Sequence, residues 1–148
     1  MIKKIARRIM PIVISVVAAT AVMFAYSYFV QGKGFPAANE LKKADIASVQ
    51  ISQGSETITL TKKEDIEQAV DVVNILCFRF GEAGGGTADT TYEFYLEDGS
   101  MLKIGANRDT IFKDGKQYAG VSDSCRLFGN CTQAIFYYGT LRDGKLYN

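Results

Sequence analysis

Thr90–Ala106, TTYEFYLEDGSMLKIGA, is the stretch that decides the fold. Tyr92, Phe94 and Leu96 fall on one face of a strand, with Glu93, Tyr95 and Glu97 on the other. A two-residue turn at Asp98-Gly99 would set Phe94 opposite Lys103 and mix the faces. A three-residue loop, Glu97-Asp98-Gly99 with Gly99 left-handed, instead pairs Phe94 with Leu102 and Tyr92 with Ile104. The second register keeps one face apolar and is the one expected.

Upstream, Val49 and Ile51 alternate with Ser48, Gln50 and Ser52. Gln53-Gly54-Ser55 supplies turn chemistry, and Ile58 and Leu60 resume the alternation, which makes a hairpin with one apolar face. Thr61 and Glu64 have the form of a capping box at a helix start. Ile66, Val70, Val73, Cys77 and Phe80 then recur at helical spacing, widened by Ala69 and Leu76, so a helix is expected from Lys62 to Phe80. Downstream, Ile111, Phe112 and Tyr118 flank Asp114-Gly115 in a shorter hairpin. In the last 30 residues Leu127, Cys131, Ile135 and Tyr138 suit a helix, whereas Gly129-Asn130 reads as a turn and Ala134 to Leu141 is rich in strand formers. The expectation there is a short loop or helix followed by a strand, with a final hairpin at Asp143-Gly144. The fold class is α+β: a small antiparallel sheet of four to six strands with one helix packed on its apolar face.

The N-terminal fifth has a different character. Ile9–Val30, IMPIVISVVAATAVMFAYSYFV, carries no charge, and Lys3, Lys4, Arg7 and Arg8 precede it. At about 1.5 Å per residue such a helix reaches about 33 Å, enough for a hydrocarbon core of about 30 Å. A transmembrane signal anchor is expected, since a cleaved signal has a shorter apolar run. From Gln31 onward thirteen Lys and Arg face sixteen Asp and Glu, a net of −3. Basic residues stay in the cytoplasm, so the expected protein is single-pass in the plasma membrane with its C-terminal domain outside. The expected organisation is a cytoplasmic N-terminus 1–8, a span 9–30, a linker 31–43 and an extracytoplasmic domain 44–148.

The sequence contains no histidine. Ser-His-Asp and Cys-His catalysis and His-containing zinc sites are thereby excluded. No pattern points to a catalytic residue, a cofactor or a metal, and the acidic domain lacks the basic stripe that nucleic acid requires. Cys77 sits on the apolar helix stripe and reads as a small buried hydrophobe. Outside the cell, Cys125 and Cys131 are candidates for a local disulfide, which a continuous helix through both would oppose. The loop Gly81 to Thr87 has P-loop-like glycines but no lysine, and reads as a flexible connector. Glu93, Tyr95 and Glu97, sharing the polar strand face, are the candidate interface, with Tyr95 as the anchor.

TKKEDIEQAVDVVNIL, TYEFYLEDGSMLKI and KDGKQY, taken together, resemble the layout of small membrane-anchored or lipoprotein extracytoplasmic domains of unknown function in Gram-positive bacteria. The resemblance covers Ala44 to Tyr118, implies an envelope location and an α+β domain, and carries over no functional residue. The expected function is a non-enzymatic, membrane-anchored binding module for a protein, peptide or envelope component. The alternative is a regulatory or inhibitory subunit of a membrane complex that meets its partners through the transmembrane helix.

Overall fold

In the computed structural model the backbone is described for residues 2–26 and 34–142, and side chains for 14–26 and 34–137. The chain forms two units, 1–33 and 34–148. The first contains helix α1, Ile2–Tyr26. Val16, Val17, Val22, Met23 and Phe24 are exposed on it, and the Thr20 hydroxyl donates to the Val16 carbonyl at 2.8 Å. Among the described residues no helix is long and apolar enough to cross a membrane. The apolar run Ile9–Val30 continues through 27–30, which lie outside the described residues, as does the hairpin expected at Asp143-Gly144.

The second unit is α+β. Its six-stranded antiparallel sheet has the order β3-β2-β5-β6-β7-β8. The strands are β2 Ile46–Gln53, β3 Glu56–Leu60, β5 Thr90–Leu96, β6 Met101–Ala106, β7 Thr110–Lys113 and β8 Lys116–Ala119. Phe94 pairs with Leu102 and Tyr92 with Ile104, the register that keeps one face apolar. The Leu96 amide donates to the Ser100 carbonyl, and Gly99 takes a φ of 83°, closing the three-residue loop. Asp114 and Gly115, with φ of 48° and 79°, make the two-residue turn of the next hairpin. A bulge between Ile46 and Ser48 lets Ile46 join Val49 and Ile51 in the core despite its opposite parity.

Two helices cover the apolar face where one was expected. Helix α2 spans Lys63–Val73 and buries Ile66, Ala69, Val70, Val72 and Val73. It starts at Lys62, which makes no side-chain cap hydrogen bond, so the expected Thr61–Glu64 box is not the cap. It also stops seven residues before Phe80. After Val73 the chain tightens, with the Ile75 amide on the Val72 carbonyl and the Leu76 amide on the Val73 carbonyl. That turn still drops Leu76 into the core, which is why the sequence period runs on past the helix end. Cys77–Phe78 is instead strand β4, paired antiparallel with β1, Phe35–Pro36.

The residues from Gly34 to Lys43, expected as part of a linker, belong to the domain. Ala37 and Ala38 are buried in the core, and the Ala37 amide donates to the Leu76 carbonyl at 2.9 Å. Lys113 points from β7 to the covered face, where its ammonium donates to the Ala37 carbonyl at 3.0 Å and pairs with Glu40. A single 3-10 turn, Lys43–Asp45, then leads into β2. At Gly34, with φ of 66°, a Cβ would collide with the Phe78 carbonyl, so only glycine fits there.

The last element also departs from the expectation. Helix α3 runs without interruption over Ser122–Arg142, in place of a loop and strand. Its buried stripe is Cys125, Phe128, Thr132, Ile135 and Phe136, whereas Leu127, part of the stripe read from the sequence, is 50% exposed. Thr132 breaks the apolar pattern, but its hydroxyl bonds to the Phe128 carbonyl at 2.8 Å and to the Tyr92 hydroxyl at 2.9 Å. Packing against Tyr92 and the sheet thus overrides the strand propensity of this segment.

Candidate functional site

The polar face of the sheet holds the residues expected to form an interface. Glu93 and Tyr95 are neighbours there, with the Tyr95 hydroxyl donating to Glu93 Oε2 at 3.0 Å and Lys103 Nζ donating to Oε1 at 2.7 Å. The Lys103 hydrogen bond holds the Glu93 carboxyl below its ordinary range. The hydrogen bond to Glu93 raises the Tyr95 phenol. Both carboxylate oxygens are therefore engaged within the sheet. Glu97 does not complete the group: it lies in the loop after β5, where its amide donates to the Asp45 carbonyl at 2.9 Å.

Cys125 and Cys131 both lie on α3 and both are free thiols. Six residues of helix separate them by about 9 Å along the axis, beyond the Cα separation a disulfide spans. The expected bridge is thus excluded by the helix that runs through it. Burial raises the Cys125 thiol to about 11 and also raises that of Cys77. Neither is an activated nucleophile, which would need a lowered value. Cys77 is only partly buried, on β4 and not on a helix stripe.

A cleft of about 550 Å³ opens elsewhere, where the ends of β2, β5 and β6 meet α3. Its framework is made by amide side chains. Gln53, the last residue of β2, donates through Nε2 to Thr90 Oγ1 at 3.0 Å and to the Gly129 carbonyl at 3.1 Å, joining two strands to the helix. Asn107, just past β6, accepts through Oδ1 from the amides of Asp109 and Thr110 at 3.2 and 2.9 Å. Its Nδ2 donates to the carbonyls of Gly85 and Thr87 at 2.9 and 3.2 Å. The glycine loop is consequently tied to the β6–β7 turn and is not the free connector expected from its composition.

A second set of side chains lines the cleft without serving the framework. Asp89, Arg108, Asn130 and Gln133 border it, and among the described residues their side chains make no hydrogen bond or ion pair. Arg126 and Asp123 add an exposed pair at 3.1 Å on the α3 side. The lining thus presents both charges and two primary amides. Such a surface can bind groups that donate and accept hydrogen bonds and carry charge of either sign. Among the described residues no group of His, Cys, Asp and Glu could hold a metal.

Sequence reasoning missed this cleft because its members are scattered from Gln53 to Gln133 with no shared spacing. The one local signal in the sequence is Asn107-Arg108-Asp109, a polar run between two strand segments of a kind that any turn can carry. Compared with protein-family models, curated proteins and solved structures, the chain has no match.

Proposed function

We propose that this chain is a non-enzymatic binding module, anchored in the plasma membrane through its 9–30 stretch, whose domain outside the cell holds a segment of a protein or peptide in the cleft beside α3. The observation that carries this reading is the set of uncommitted polar side chains, Asp89, Arg108, Asn130 and Gln133, around one cavity. Peptide groups offer a donor and an acceptor at every residue, which matches primary amides better than a lipid tail or a polyanion does. The balance of Asp89 and Asp123 against Arg108 and Arg126 suits a ligand carrying both signs. The lack of histidine and the raised thiols of Cys77 and Cys125 support a binding role over catalysis.

The anchoring rests on the uncharged run Ile9–Val30 behind four basic residues. Contacts through that helix are the weaker reading, because the Thr20 hydroxyl is spent on its own helix at Val16.

A photoreactive amino acid at Gln133, in the full chain in its native membrane, tests the binding site. Capture of a polypeptide at Gln133, reduced when Arg108→Glu is added, is the expected result. Capture from Tyr95 but not from Gln133 would move the site to the polar sheet face and overturn the cleft reading.

A further inference from the structure

Two pairs of aromatic rings lie next to each other where the chain enters the domain. Phe35 and Phe80 meet edge to face with centroids 5.2 Å apart, and Phe78 and Tyr118 lie 4.8 Å apart. Phe35 and Phe78 are direct cross-strand partners in the β1–β4 ribbon, which links the two pairs side by side. Phe78 packs against the core. Outward from it, Phe35 is 39% exposed, Tyr118 38% and Phe80 62%. The rings are rigidly held. The Arg79 amide donates to the Ala119 carbonyl at 2.9 Å, its Nε donates to the Gly120 carbonyl at 3.0 Å, and Phe78 bridges to Gly120.

Apolar ring surface left facing water is unfavourable, and these rings are tied to a definite place in the chain. Val30, the last residue of the apolar run, precedes Phe35 by five residues, a distance of at most about 17 Å even fully extended. The rings are thus leashed to the position where the span would leave the bilayer. Aromatic side chains partition to that headgroup layer, phenol hydroxyls toward water and rings toward the acyl chains. We infer that Phe35, Phe80 and Tyr118 form a membrane-docking edge that seats the domain on the outer leaflet of the bilayer carrying its own anchor. This inference rests on the anchoring proposed above.

Docking at this edge sets the orientation of the domain. Tyr118 pairs with the buried Ile111 and so lies on the covered face of the sheet, whereas Glu93 and Met101 lie on the polar face, turned away from the docking edge.

The sequence contains no tryptophan, so one introduced residue is the only indole and can be excited apart from the eight tyrosines. Full-length Phe80→Trp and, as a reference on the polar face, full-length Met101→Trp are reconstituted into phosphatidylcholine vesicles with and without lipids brominated near the headgroup end of the acyl chain. Both sites are exposed, at 62% and 51%, so folding tolerates the substitution. The expected result is a blue shift and strong bromine quenching for Phe80→Trp, with neither for Met101→Trp. Equal, unquenched emission from both variants in chains that float with the vesicles after alkaline washing would overturn the docking edge and leave the anchor standing. Chains released by the wash would overturn the anchor, and the docking edge with it. Since the vesicles contain no other protein, a set of rings that serves a protein partner gives the unquenched result.

Discussion

At the scale of single residues, the pairing of Tyr92 with Thr132 shows how a polar contact is accommodated in the core. Both side chains are fully buried. The Thr132 hydroxyl has one proton and spends it on the Phe128 carbonyl, so the Tyr92 hydroxyl must be the donor in their 2.9 Å contact. Burial raises the Tyr92 phenol far above its ordinary value, which keeps that proton in place across the accessible pH range. The two partners are therefore unequal. Tyr92→Phe removes the donor and leaves Thr132 satisfied by Phe128, a loss of about 1 kcal/mol. Thr132→Val strands the Tyr92 hydroxyl without an acceptor and should cost about 1–3 kcal/mol. Adding Tyr92→Phe to Thr132→Val should then recover stability, because the stranded hydroxyl is gone. Urea midpoints for the four proteins measure this, and a double variant less stable than Thr132→Val alone would refute the assignment of donor and acceptor.

At the scale of elements, the segment before β2 is fastened by charge. Lys113, hydrogen-bonded to Glu40, holds the Glu40 carboxyl below its ordinary value of 4.5. A folded-state value lowered in this way adds stability that is complete above about pH 4.5 and is lost as pH falls through the folded value. Glu93, lowered by Lys103, acts in the same direction. Glu40→Gln should therefore lower the urea midpoint at neutral pH and reduce its decline toward about pH 3. An unchanged acid profile would remove Glu40 from the fastening. Helix α3 has a chemical consequence as well. Denaturation without reductant, followed by alkylation and peptide mass mapping, should label all three cysteines, and a peptide in which Cys125 and Cys131 are bridged to each other would contradict a continuous helix through both.

The hairpins were legible because strand period is two: a slip at Asp98-Gly99 would have mixed Phe94 with Lys103, and only one register avoided it. The end of α2 was hidden because Leu76 reaches the core from a turn as it would from a helix. The α3 stripe was hidden by Thr132, whose partner Tyr92 lies 40 residues away. The cleft was illegible for the same reason, since Gln53, Asn107 and Gln133 become neighbours only through the sheet order and the path of α3.

At the scale of the whole molecule, the proposed reading depends on charge being sorted along the chain. All four basic residues of the first eight positions precede the apolar run, whereas the rest of the chain carries −3. A loop charge bias of this kind orients a span with its basic flank in the cytoplasm. The cleft and the aromatic rings then face the outside, where a peptide and the outer leaflet are available to them. Protease added to intact cells stripped of their wall should degrade the domain from residue 34 onward, while the first residues stay protected. Replacing Lys3, Lys4, Arg7 and Arg8 by serine should weaken that orientation, since each removes a positive charge that resists translocation. A domain protected until the membrane is permeabilised would place it in the cytoplasm and remove both the extracellular ligand and the outer-leaflet docking. The cleft side chains would then need a cytoplasmic partner, and the −3 charge would still argue against nucleic acid as that partner.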